Sequence, residues 1–442
     1  MDDSDPGSAP IDSGAAGGLP RSREFSSGDA AALEPGRAGG GASSRMPRRP
    51  RARVVEITAQ PQRRLLALDA FRGLTIAFMI MVNNNGGPGS WRQMNHSAWN
   101  GFTATDLVFP TFLLVVGISI VYAFEARLAR GATRAQLARH TVLRAAVLVL
   151  FGVVVNNFPF FHLAHMRFYG VLQRIALCYL AIGLFYLYDR RVWTKVAMLA
   201  VLLLGYWVLV RWVPVPGAGV PGREVAFLDR NQNLVAWVDR QLMPGHLYED
   251  FPQHDARDPE GLLSTLPAFG TTLIGLLAGL WLRSRRAISR KTVGLAASAA
   301  VCLALGALWN PWFPINKKMW TSSYVLFAAG WSLAIFALLY WALEQKGWGR
   351  EGRGRAWVWP WLVFGSNAIV AYMISELLPS ALFNIHFRWD GLRMNPIGWS
   401  HLRIFSHIPN PGWAAFAYSV TFTAICFVPV WALYRKKIFL KV

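Results

Sequence analysis

The chain has 442 residues, of which 54% are hydrophobic, 13% aromatic and only 16% charged. Soluble domains usually carry about a quarter charged residues, so this composition excludes an ordinary water-soluble enzyme and points into a bilayer. The net charge of +21 would suit nucleic acid, but the basic residues sit in an N-terminal tail and in short loops between apolar runs, a topological pattern that needs no nucleic-acid partner.

Residues 1–62 come first. Gly, Ala, Ser, Pro and Asp dominate 1–45, with no apolar stretch of the kind a cleavable signal peptide carries, and the composition predicts disorder. From Met46 the run Pro47-Arg48-Arg49-Pro50-Arg51-Ala52-Arg53 adds charge. Met46 is either an alternative start or the point where a basic segment rests on anionic lipid. The reading is a disordered, basic cytoplasmic tail over 1–62 and a membrane domain over 63–442.

Apolar segments of about 20 residues span a bilayer as helices. Ten are predicted, at about 66–83, 105–124, 140–157, 170–188, 194–213, 265–282, 292–310, 321–343, 359–380 and 413–434. The fold class is therefore an all-α polytopic membrane helix bundle. Charge supports the number. The N-terminal flank is basic, and every second loop afterwards is too: Arg127 to Arg139, Arg190 to Lys195, Arg283 to Lys291, Lys346 to Arg355, then the tail from Arg435. By the positive-inside rule both termini are cytoplasmic. The loops 84–104, 214–264 and 381–412 then lie outside, and loops that long in a compact membrane protein usually have a function.

The first outside loop holds a histidine among amides, glycines and indoles, in the run Asn83-Asn84-Asn85-Gly86-Gly87 to His96-Ser97-Ala98-Trp99-Asn100. Imidazole is the side chain that exchanges protons near neutral pH unaided. A charge in mid-bilayer is costly, so polar residues within the spans are informative. Asp69 and Arg72 can pair at i,i+3 near the inner end of the first span. Asp106, Gln173, Arg174 and Glu376 fall at the outer ends of spans two, four and nine. They share a level with His96, Asn83, Asn84, Asn316, Lys317 and Lys318, which predicts a shared polar cavity near the outer leaflet. Cys178, Cys302 and Cys426 are isolated in apolar runs and offer neither metal-ligand spacing nor a disulfide framework, so no metal is expected.

These motifs carry a resemblance. Arg64-Leu-Leu-Ala-Leu-Asp-Ala-Phe-Arg-Gly-Leu74, the amide-rich turn, His96-Ser-Ala-Trp-Asn-Gly101, Asp106-Leu-Val-Phe-Pro110, Gly170-Val-Leu-Gln-Arg-Ile175, Asp258-Pro-Glu-Gly-Leu-Leu263, Pro314-Ile-Asn-Lys-Lys-Met-Trp-Thr-Ser-Ser-Tyr324 and Tyr434-Arg-Lys-Lys-Ile-Phe439 follow one another in order. Together the set resembles the heparan-α-glucosaminide N-acetyltransferase family over about 63–442. The resemblance implies acetyl transfer from acetyl-CoA to the amino group of a glucosamine-type sugar. It places the family's histidine on His96 and a family asparagine on Asn83 or Asn84.

Such a transfer needs a base for the amine, donors for the oxyanion and a meeting place for two substrates. His96 can serve as the base or take the acetyl group itself. Asn83, Asn84 or backbone N–H groups of the Gly86-Gly87 turn can face the oxyanion, and Asp106 can fix the imidazole tautomer. Arg174 and Lys317 suit CoA phosphates by charge and level, with Gln173, Asn316 and Glu376 beside them. His162, His165, His386, His401 and His407 also lie outside, as further helpers. The expected partners are acetyl-CoA, an amino-sugar or glycan acceptor and lipid, with a homodimer allowed. The expected location is a bacterial cytoplasmic membrane. Transfer to a sugar hydroxyl, or sugar transport on the same scaffold, are the competing readings. The matching broken helices that a transporter would show are not evident.

Overall fold

The computed structural model describes residues 65–248, 257–349 and 352–440. The expected tail 1–62 lies outside these, as do the arginines from Arg48 to Arg64. Helix α1 (Leu66–Asn83) leads into the long loop with His96. A 3-10 turn at Thr105–Leu107 then opens α2 (Val108–Leu128). There follow α3 (Arg134–Asn157), α4 (Val171–Tyr188), α5 (Val192–Trp212), the short loop helix α6 (Leu234–Leu242), α7 (Thr265–Arg283), α8 (Ile288–Trp309) and α9 (Ser322–Tyr340), which runs on as a π turn to Gln345. The chain closes with α10 (Gly352–Ser366), α11 (Ala368–Asn384), a hairpin of β1 (Phe387–Trp389) and β2 (Leu392–Met394), α12 (Pro396–Arg403) and α13 (Pro411–Arg435).

Among the described residues nine helices are long and apolar enough to cross a membrane, and a bent pair makes a tenth. The bent pair changes the expected picture of span nine. Instead of one straight helix over 359–380 there are two, α10 and α11, meeting at 76°. Gly365-Ser366-Asn367 supplies the break, and the groups it frees find partners. Asn367 is fully buried. Its Nδ2 donates to Ile438 O at 3.0 Å and its Oδ1 accepts from Leu440 N at 2.9 Å. Arg72 Nη1 donates to Gly365 O at 3.4 Å and to Asp69 Oδ1 at 3.3 Å, while Nη2 donates to Ser119 Oγ at 3.2 Å. The expected Asp69–Arg72 pair therefore forms, and it also ties the break to α1 and α2. In lipid every such backbone group must be satisfied within the protein.

Small residues set the closest helix contacts, as membrane packing requires. A Cβ on Gly73 would stand 1.7 Å from Trp361 O, and one on Gly365 2.1 Å from Asp69 O, so α1 and α10 touch backbone to backbone. Helices α1, α2, α4, α7 and α9 bury 56% to 72% of their spans, whereas α3, α5, α8 and α13 bury only 17% to 28% and form an outer row suited to acyl chains. The start of α3 also differs from expectation, while its end at Asn157 is as expected. It begins at Arg134 rather than near 140, because Thr133 and Gln136 cap each other's backbone in a capping box.

The loops between spans meet at one end. Gly101 N donates to Ile315 O at 2.8 Å, and Trp99 Nε1 donates to Leu228 O at 2.8 Å. Arg167 Nε donates to Asp258 Oδ2 at 2.9 Å. Four loops that are far apart in the chain are thereby joined over the ends of the buried helices.

Candidate functional site

The loop after α1 is a folded object. Asn85 Nδ2 donates to Met94 O at 3.2 Å and to Asn95 Oδ1 at 2.7 Å, and Asn95 Nδ2 donates to Ser90 Oγ at 2.7 Å and Trp91 O at 3.0 Å. Thr103 Oγ1 lies 2.7 Å from Asn95 O. These bonds hold the backbone on both sides of His96.

Asp106 is the anchor of the loop. It has no solvent exposure. Its Oδ2 accepts from Ser97 N and Thr103 N at 3.1 Å each, and from Thr103 Oγ1 at 3.0 Å. Its Oδ1 lies 2.8 Å from His96 Nδ1. A carboxylate can only accept, so Nδ1 carries the proton and Nε2 keeps its lone pair in the neutral ring. The His96 side chain is 46% exposed, so part of the ring is in contact with solvent. Tyr324 Oη donates to Asp106 O at 2.7 Å, which fixes the start of α2 against α9.

Lys317 completes the group. Its Nζ lies 3.0 Å from His96 Nδ1, 3.2 Å from Nε2 and 3.9 Å from Asp106 Oδ1. Burial pulls its ammonium below the ordinary lysine pKa, while the charges of Asp106 and Glu260 work the other way. Its turn is built by Asn316, which is fully buried. Asn316 Nδ2 donates to Asn100 Oδ1 at 3.0 Å, and its Oδ1 accepts from Met319 N at 2.9 Å. The turn ends on Trp320, whose φ of +52° is in the left-handed region. A tryptophan there is strained by about 1–2 kcal/mol, offset by burial against Phe109 and Tyr324 at ring distances of 4.9 and 5.2 Å.

The other expected site residues are near but differently employed. Arg174 is fully buried, with its guanidinium 5.0 Å from the Trp320 ring centre and Nη2 on Gly261 O at 2.8 Å and on Ser264 Oγ. It braces α4 against the start of α7 and the Trp320 turn. Gln173 is also buried, and neither atom of its amide has a hydrogen-bond partner among the described residues. Asn83 Nδ2 donates to Glu376 Oε1 at 3.0 Å, joining α1 to α11, and Asn84 Nδ2 donates back to Ile80 O at 3.2 Å. So of the three adjacent amides, Asn85 is the one that organises the His96 loop. Asn85, Asn95 and Thr103 were not singled out from the sequence, though the density of amides around His96 was a signal. Of the outside histidines, His401 stacks on Tyr418 at 4.4 Å, and His246 Nδ1 lies 2.8 Å from Met166 O.

A second charged layer lies beside the first. Arg167 Nη2 donates to Asp258 Oδ1 at 2.6 Å and to Glu260 Oε2 at 2.8 Å. Burial disfavours its charge, but the two carboxylates more than compensate and hold the guanidinium above its ordinary pKa. A cleft next to this layer is lined by Trp99, Asn233, Asp239, Asp258, Lys318 and Met319.

A family model described as heparan-alpha-glucosaminide N-acetyltransferase, catalytic, matches residues 64–309, more than half of the chain. The chain belongs to the heparan-α-glucosaminide N-acetyltransferase family. Human heparan-alpha-glucosaminide N-acetyltransferase is 27% identical over 428 aligned residues, which cover 86% of this chain. The mouse protein of the same name is 27% identical over 430 residues, again 86% of this chain. The match spans 60% of the length of each of these relatives. The region matched by the heparan-α-glucosaminide N-acetyltransferase model contains the whole His96 loop, Asp106 and Arg174, and stops short of Lys317.

In this member of the heparan-α-glucosaminide N-acetyltransferase family, Asp239 is an unusual carboxyl. It is fully buried on α6, Oδ1 accepts from Leu262 N at 2.8 Å, and Oδ2 has no partner among the described residues. Burial pushes its pKa up to about 7. The folded state therefore keeps a proton that the unfolded chain releases near pH 4. Its favourable contribution is complete below that value and is lost as pH rises toward about 7. The apparent melting temperature should accordingly fall between pH 5 and pH 8. Asp239→Asn should remove much of that slope and melt several degrees higher at pH 8. Parallel curves for the two proteins in a detergent thermal-shift series would contradict this.

Proposed function

We propose that the protein transfers an acetyl group from acetyl-CoA to the amino group of a glucosamine-type sugar, with His96 as the proton acceptor. The observation that carries the reading is the 2.8 Å contact between the half-exposed His96 ring and the buried Asp106 carboxylate, in a chain of this family. Asp106 holds the Nδ1–H tautomer and directs Nε2 outward. The sugar amine places its N–H on Nε2 and its lone pair on the thioester carbon. The C–N bond forms and the carbonyl π pair moves to oxygen. His96 takes the amine proton, the oxyanion collapses, and the C–S bond breaks. The imidazolium then returns its proton to the CoA thiolate. General-base help of this kind is typically worth about 10²–10⁴-fold. The same Nε2 can instead attack the thioester first and carry the acetyl group as acetyl-imidazole.

The basic-loop pattern supports both termini in the cytoplasm and the His96 end outside, with a bacterial cytoplasmic membrane as the location and an extracytoplasmic amino sugar as the acceptor. Purified protein should consume acetyl-CoA only when an amino sugar is present, and should yield a product stable to mild base, as an amide is. A base-labile product would turn the reading to a sugar hydroxyl as the acceptor. Sugar flux into proteoliposomes without acetyl-CoA consumption would turn it to transport.

A further inference from the structure

We infer that Lys317 is a catalytic residue whose ammonium stabilises the oxyanion of the acyl-transfer step, instead of a binding site for CoA phosphates. The inference rests on the acetyl-transfer reading above. Its basis is position. In such a step the base, the attacking nitrogen, the acyl carbon and the oxyanion are joined through one hydrogen bond and two covalent bonds. A donor to the oxyanion must therefore stand within a few ångströms of the base. Lys317 Nζ is 3.2 Å from His96 Nε2 and 3.9 Å from Asp106 Oδ1. The phosphates of CoA, by contrast, are separated from the thioester by the whole pantetheine arm. A cation that touches the general base cannot reach them while the acetyl group is at that base.

Without substrate, Lys317 Nζ stands against the His96 ring, 3.0 Å from Nδ1 and 3.2 Å from Nε2, beside the space the amine must take. When the amine arrives at Nε2, the new negative charge nearest to Nζ is the forming oxyanion. The side chain is only 14% exposed, so the ammonium works at low dielectric, where such stabilisation is strongest. Asn316 and Trp320 hold the turn from both sides, so little reorganisation is needed. The same charge disfavours an ammonium at Nε2 and so selects the neutral amine, the form that can attack.

The test uses two donors, acetyl-CoA and S-acetyl-N-acetylcysteamine, which has no phosphate. Lys317→Met should lower kcat about 10²–10³-fold with a small change in KM, and by the same factor with both donors. Lys317→Arg should recover part of the loss. A rise in the KM for acetyl-CoA that vanishes with the phosphate-free donor would overturn the inference, as would undiminished kcat. If Lys317→Met does not purify as folded protein, Lys317→Arg and Lys317→Gln are compared in the same way, and equal rates for the two would also overturn it. Should the wild-type protein transfer acetyl from neither donor, the proposed function fails; wild-type activity with an unaffected variant removes only the role of Lys317.

Discussion

His96→Ala is expected to lower the rate of acetyl transfer to glucosamine about 10²–10⁴-fold, the usual worth of a positioned base, and to leave the fold intact. The second half follows from where the ring sits. It is 46% exposed and makes its contacts with Asp106 and Lys317 alone among the described polar partners. Asp106 still receives Ser97 N, Thr103 N and Thr103 Oγ1 when the imidazole is gone. The loop therefore keeps its anchor, and the melting temperature should stay within a few degrees of the wild type. Wild-type rates in this variant, measured from product formation by purified protein, would remove the histidine from the mechanism.

Asp106→Asn should be as damaging to the rate and worse for stability. The amide keeps the shape of the carboxylate but replaces one acceptor by a donor. If its NH₂ faces His96, Nδ1 must accept, and the ring proton moves to Nε2, where it blocks the base. If its NH₂ faces the other way, it meets the N–H groups of Ser97 and Thr103 and leaves buried donors unsatisfied, at about 1–3 kcal/mol. The expected loss in kcat is on the order of 10⁴-fold, as for the wrong-tautomer variant of a histidine–carboxylate pair. A lower melting temperature should accompany it. A variant that purifies, melts like the wild type and turns over at full rate would contradict the anchoring role.

Long apolar runs made the spans readable, because a bilayer demands about 20 such residues per helix. What composition hid was the break in span nine. Gly365-Ser366-Asn367 interrupts a hydrophobic run without a charge, and the bend is held by tertiary partners, Arg72 on the Gly365 carbonyl and the chain near Ile438 on the Asn367 side chain. The early start of α3 was written in Thr133 and Gln136 as a capping box, but the apolar window outweighed it. At the candidate site, Asp106 stood out as a carboxylate at the start of an apolar run, and His96 as an imidazole in an amide-rich loop at the same level. Three neighbouring amides could not be ranked from sequence. Asn83 belongs to Glu376, Asn84 to its own helix and Asn85 to the His96 loop, a division set by the direction in which α1 ends. Lys317 was recognisable as a polar residue at the right level, but its place beside His96 depends on the bond from Gly101 N to Ile315 O, 214 positions apart in the chain. Asp239 gave no sign at all, since its burial is a property of how α6 packs on Gly261 and Leu262.

The most direct measurement is a cryo-electron-microscopy structure with a bisubstrate analogue, in which the CoA sulfur is joined through an acetyl-length linker to the nitrogen of glucosamine. The linker nitrogen should lie about 3 Å from His96 Nε2, with the linker oxygen turned toward Lys317. Density for the linker at another level of the bundle, with the His96 ring facing solvent alone, would contradict the account.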